Sequence, residues 1–145
     1  MIINMRHSGI VVRNLNNSIR FYEGLGFRVW IRSKEHSPFI EKLVGIKGIE
    51  LETAKLKSPC GQLLELLHYI TDKFDNNIIN QRPNKLGHSH ISLTVNSISK
   101  SVKYFSKNGG FIINKPQMSH DGKVKVLYCY DNDGNLIEIV EELNI

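Results

Sequence analysis

Hydrophobic and polar positions along the chain change period several times, and each change marks an element. From Met5 to Val12 the pattern is short, β-branched and alternating, which predicts a strand. Asn14-Leu15-Asn16-Asn17-Ser18 then offers side-chain oxygens that can cap a helix with Ile19, Tyr22 and Leu25 on one side, stopped by Gly24 and Gly26. A strand over 27–32, an irregular stretch to Lys47, and strands over 48–55 and 62–69 follow. The second half predicts a strand over 89–95 and a helix over 97–108 with Ile98, Val102 and Phe105 inward. That helix stops at Gly109-Gly110, and strands over 111–114, 124–130 and 135–141 complete the half. The last two are joined by Asp131-Asn132-Asp133-Gly134-Asn135, which is strong turn chemistry.

Both halves therefore read β-α-β-β-β, and they repeat in detail. Counted from His7 and from His90, a valine falls at +5, a serine at +11, an aliphatic residue at +12, a cation at +13 and aromatics at +14 and +15. Such agreement marks an internal duplication, with module one over 5–70, a linker over 71–87 and module two over 88–142. Each module closes on a glutamate between aliphatic pairs, Leu63-Leu64-Glu65-Leu66-Leu67 and Leu136-Ile137-Glu138-Ile139-Val140. His7 and Glu65 are 58 positions apart, His90 and Glu138 are 48 apart, and the ten extra residues fit a longer loop between Ser33 and Gly48.

The chain has 145 residues, enough for one domain that buries roughly two thirds of its unfolded surface. Its apolar and charged fractions, 41% and 23%, are those of a globular protein. There is no apolar run of about 18 residues, and MIINMRHSG lacks the apolar core of a signal peptide, so no membrane span and a cytoplasmic location are expected. The net charge of +5 comes from scattered lysines and arginines without interleaved aromatics, which argues against a nucleic-acid partner and mildly favours an anionic small molecule. Cys60 and Cys129 have no metal-type spacing and are expected to be free thiols.

Side chains alternate across a strand, so His90, Ser92 and Thr94 share one face, and His7, Gly9 and Val11 another. The opposite faces are aliphatic and suit packing under a helix. Glu65 and Glu138 lie in strands that read as buried, where an ionised carboxylate is costly without a cationic partner. A divalent metal would meet that need. Taken singly, each of these four residues fits an ordinary surface or core role, but their recurrence at matching places makes His7, Glu65, His90 and Glu138 the candidate ligands. Two imidazole nitrogens and two carboxylate oxygens suit nickel, zinc, manganese, iron or cobalt better than calcium. His88 shares the face of His90 but is out of repeat register, His68 falls on the face opposite Glu65, and His36 and His120 are expected in loops.

At these residues the chain resembles the vicinal oxygen chelate superfamily, which includes glyoxalase I, methylmalonyl-CoA epimerase, extradiol dioxygenases and the fosfomycin and bleomycin resistance proteins. The matching pieces are HSGIVVRNLNNSIRFYEGLGF, GQLLELL, GHSHISLTV, KNGGFIINKP and YDNDGNLIEIVEE. The resemblance implies an α+β fold of paired β-α-β-β-β modules forming a curved half-barrel around one divalent metal ion. The family's metal positions fall on His7, Glu65, His90 and Glu138, the four-ligand pattern of bacterial glyoxalase I; dioxygenases and fosfomycin enzymes typically use three. The implied chemistry is a lyase or isomerase proton transfer through a metal-bound enediolate, with Glu138 the first choice of base and Glu65 its counterpart. An extradiol-type dioxygenase or a non-catalytic binding protein is the alternative. Glutathione-using members usually carry arginine where this chain has Val11, with Arg13 two residues on, so the substrate class stays open among thiol adducts, CoA thioesters and 2-hydroxy carbonyl compounds. A homodimer is expected, as for most small enzymes.

Overall fold

The computed structural model describes residues 1–71 and 82–143; the expected linker falls mostly on 72–81, outside the described residues. The chain divides into two compact units, 1–75 and 76–145, each with its own sheet. The fold is α+β, as the pattern predicts.

In the first unit, β1 (Ser8–Val11) leads into α1 (Leu15–Gly24), then β2 (Arg28–Glu35), α2 (Pro38–Val44), β3 (Leu51–Lys57) and β4 (Leu63–Tyr69). The sheet order is β1-β4-β3-β2, with β1 parallel to β4 and the other pairs antiparallel. The caps explain the helix boundaries. Asn14 Oδ1 accepts from the Asn17 amide at 2.9 Å, and the chain leaves the helix through Gly26 at φ 104°. Register puts Ile10, Ala54, Leu56, Leu64 and Leu66 on one face, all buried, and α1 packs there on β3 and β4 through Leu15, Ile19 and Tyr22. Each large side chain so buried contributes about 1.5–3 kcal/mol.

The stretch between β2 and β3 corrects the expected loop. It holds α2, started by Ser37 as N-cap and Pro38 at its first turn and ended by Gly45 at φ 75°. Ile40 of α2 packs with Ile49 and Leu51, and Val44, Ile46, Leu67 and Tyr69 lie against them. By register, Leu51, Leu67 and Tyr69 share the face of Glu65, so the insertion covers one end of that face. At seven residues the helix is too short to show a helical period in the sequence.

The second unit runs β5 (Ile91–Thr94), α3 (Ile98–Lys107), β6 (Phe111–Ile112), β7 (Gln117–Met118), β8 (Val124–Tyr130) and β9 (Leu136–Glu142). The order is β5-β9-β8-β6, with the unanticipated two-residue β7 also paired to β8. Leu127, Cys129, Ile137 and Ile139 are buried on one face, and α3 packs against β6 and β9 with Ile98 and Phe105 buried.

The duplication is visible atom by atom. Ser18 Oγ donates to the Asn14 carbonyl at 3.2 Å and Ser101 Oγ to the Ser97 carbonyl at 3.0 Å, which explains the serine at +11: each hydroxyl is satisfied within its own helix on a buried face. The hairpin turns also correspond. The Ser58 amide donates to the Gln62 carbonyl and the Asp131 amide to the Asn135 carbonyl, with Gly61 and Gly134 both at positive φ. Both cysteines are free, Cys60 exposed in its turn and Cys129 buried, where lost hydration and the nearby Asp131 push the thiol up to about 12.

Candidate functional site

Each unit brings its histidine and its glutamate together by the same construction. His7 immediately precedes β1 and His90 immediately precedes β5. Gly9 is then paired with Glu65, and Ser92 with Glu138, so each histidine lies two residues ahead of the residue facing its glutamate, on the same face. A parallel pair of strands thus converts a separation of 58 or 48 positions into side-chain contact.

In the first unit His7 Nε2 lies 2.9 Å from Glu65 Oε2. The other oxygen is also engaged, because Lys55 Nζ sits 3.2 Å from Glu65 Oε1. Lys55 arrives there from β3, whose register places it directly opposite Glu65. The Glu65 side chain is 14% exposed, so its charge is partly desolvated and the two partners offset that cost. His7 Nδ1 is buried with no hydrogen-bond partner. Gly9, paired with Glu65 across the ladder, lets Leu67 pack closely: a Cβ there would come within 3.2 Å of Leu67 Cδ1.

In the second unit the corresponding contacts are looser. His90 Nε2 lies 3.7 Å from Glu138 Oε2, and the Glu138 side chain is 22% exposed. The residue opposite Glu138 on β8 is Tyr128, whose ring meets the His90 ring edge to face at 5.0 Å between centroids. The Tyr128 hydroxyl is 3.5 Å from His90 Nε2. Burial first, then the charge and hydrogen bonding of Glu138, raise the phenol above its usual range, so it remains a neutral donor at neutral pH.

Both glutamate-bearing strands are therefore less enclosed than their aliphatic flanks imply. Lys55 and Tyr128 are the residues the sequence reading missed. Their signal was present, since each lies ten positions before its glutamate, but it takes the antiparallel register to give that offset meaning. Of the other histidines, His88 is exposed, His68 sits on β4 with Nδ1 3.8 Å from Glu52 Oε2, His36 Nδ1 meets the Ile49 carbonyl at 3.1 Å, and His120 is exposed in the turn before β8. Among the described residues no group of three or more His, Cys, Asp or Glu gathers as a metal site, and none of the helices is long and apolar enough to cross a membrane. What each unit offers is one imidazole nitrogen and one carboxylate donor, a set that fits a borderline divalent cation.

Comparison with known proteins bears on the fold and the family. No curated protein matches the chain. Among solved structures, a glyoxalase family protein from Bacillus cereus superposes with a TM-score of 0.90 at 24% identity, over 99% of this chain and 97% of that one. A glyoxalase family protein from Enterococcus faecalis gives 0.62 at 24% identity over 95% and 97%. Glyoxalase I from Zea mays, as a mutant, gives 0.67 at 21% identity, over 97% of this chain and 45% of that longer one. At these identities the likeness is one of fold. The family model for the glyoxalase/bleomycin resistance protein/dioxygenase superfamily matches residues 4–139, nearly the whole chain, and the protein belongs to that superfamily.

Proposed function

We propose that the protein is a metal-dependent lyase or isomerase of the glyoxalase I kind, acting on a small 2-hydroxy carbonyl compound or thiol adduct. The observation that carries this reading is the recurrence of one histidine–glutamate contact at one register position in both halves. His7, Glu65, His90 and Glu138 are the proposed ligands, with nickel, zinc, manganese, iron or cobalt as the metal. When bound, such a cation supplies Lewis acidity that makes the C–H beside a substrate carbonyl easier to ionise.

The chain's own groups divide the remaining work. A general base must be free to swing to a carbon-bound proton, and Glu138, 3.7 Å from His90 and beside the neutral Tyr128 phenol, is held less strongly than Glu65, which a histidine and an ammonium hold at 2.9 and 3.2 Å. Glu138 is therefore the proposed base and Glu65 its counterpart. Tyr128, opposite Glu138 on β8 with its hydroxyl 3.5 Å from His90 Nε2, is the residue placed to orient the pair between turnovers. A homodimeric, cytoplasmic enzyme belongs to the same reading.

Elemental analysis of protein purified without added metal, followed by assays with Ni²⁺, Zn²⁺ or Mn²⁺ on the methylglyoxal–glutathione hemithioacetal and on an acyl-CoA epimer, tests it. Bound metal and turnover of either substrate are expected; turnover of neither would sink the reaction. Oxygen uptake with catechols and Fe²⁺ would instead identify a ring-cleaving dioxygenase.

A further inference from the structure

We propose that Lys55 is a tethered counter-ion that competes with a metal for Glu65, which makes it a residue that weakens metal binding at the first half-site. The proposal rests on the metal reading above. Glu65 has two oxygens, and both are taken: Oε2 by His7 at 2.9 Å and Oε1 by the Lys55 ammonium at 3.2 Å. A divalent cation drawing on Oε1 competes with that ammonium for its lone pairs, and one drawing on Oε2 alone still shares the carboxylate's charge with it. The position is not incidental, since Lys55 stands directly opposite Glu65 and Tyr128 directly opposite Glu138. The same place in the fold therefore carries a cation in one half and a neutral phenol in the other. Among the described residues, the first half-site is the one with a cation opposite its glutamate.

Lys57 offers a control built into the same strand. It shares the face of Lys55, but its ammonium lies over the Trp30 ring, 5.3 Å from the centroid. Removing Lys57 changes net charge by the same amount without touching Glu65. A general field effect would move both variants alike; displacement moves only one.

The test is Zn²⁺ affinity by isothermal titration. Lys55→Met and Lys55→Gln are each expected to tighten binding about five- to tenfold, the size of an ion pair whose side chains are only 31% and 14% exposed. Lys55→Arg keeps a cation on the carboxylate and stays within about twofold of the wild type, as does Lys57→Met. In a Glu65→Gln background the Lys55→Met substitution no longer matters. Unchanged or weaker binding in Lys55→Met and Lys55→Gln, with the wild type still binding, overturns this inference alone. Equal tightening by Lys57→Met overturns it too. If neither the wild type nor these variants bind Zn²⁺, the metal reading falls and takes the inference with it. Thermal melts of each metal-free variant confirm that the comparison is between folded proteins.

Discussion

The two halves share a scaffold to the level of single hydrogen bonds, yet differ in what stands opposite the glutamate. Lys55 holds Glu65 by charge, whereas Tyr128 leaves Glu138 with a phenol and a histidine at 3.7 Å. The difference shows that duplication preserves the strand register that presents a side chain, while the residue across the ladder is free to diversify. A register position two strands away from the histidine is enough to make one carboxylate anchored and its repeat mate loose.

The comparison is broken most directly at the glutamates. Glu138→Gln is expected to lower kcat on a turned-over substrate by about 10²–10⁴-fold, the usual worth of a general base, while much of its metal is retained. Glu65→Gln should act chiefly on metal content. Equal effects on both quantities in steady-state kinetics and elemental analysis would show that the looseness of Glu138 has no catalytic meaning.

A second contrast lies just after the helices. The Phe27 amide donates to the Tyr22 carbonyl and the Gly110 amide to the Phe105 carbonyl, so the two residues occupy equivalent places. One is a buried phenyl; at the other, a Cβ would come within 2.9 Å of Phe105 Cδ1 and of the Tyr130 carbonyl oxygen. Urea unfolding should find Phe27→Ala destabilising by about 3–5 kcal/mol through a cavity, and Gly110→Ala by about 1–3 kcal/mol through overpacking. A neutral Gly110→Ala would mean that the second half has slack the first lacks.

The hairpin turns sharpen the comparison at the smallest scale. Asp131 is buried and its carboxylate accepts from the Asp133 and Asn135 amides, both at 2.8 Å, and from Asn135 Nδ2 at 3.0 Å. The Ser58 hydroxyl, its counterpart, accepts from the Gln62 amide at 3.0 Å. Asp131→Ala should cost about 2–3 kcal/mol and Ser58→Ala about 1 kcal/mol by the same unfolding measurement. Similar costs would show that the charge adds nothing over a hydroxyl here.

Much of this architecture was readable in one dimension. Period-two alternation places Ile10 and Val12 on the buried side and Gly9 and Val11 on the exposed one, as found. Caps and glycines marked both long helices, because Asn14, Ser97, Gly26 and Gly109 act through local backbone geometry. Strand ends were less legible: the second strand runs 28–35 rather than 27–32, and the third 51–57 rather than 48–55, since hydrogen-bonded partners decide where a strand stops. The short α2 and β7 escaped for the related reason that elements of seven and two residues are held by what they pack or pair against.

The sequence by itself determined the duplication, the α+β class and the four recurrent His and Glu positions, because repeats and periodicity are properties of a line of residues. Only the tertiary structure decided that His7 touches Glu65 and His90 approaches Glu138, and that Lys55 and Tyr128 stand across from them. Those contacts depend on which strands pair and in what register, a choice made by burial of the aliphatic face beneath α1 and α3 and written at no single position of the chain.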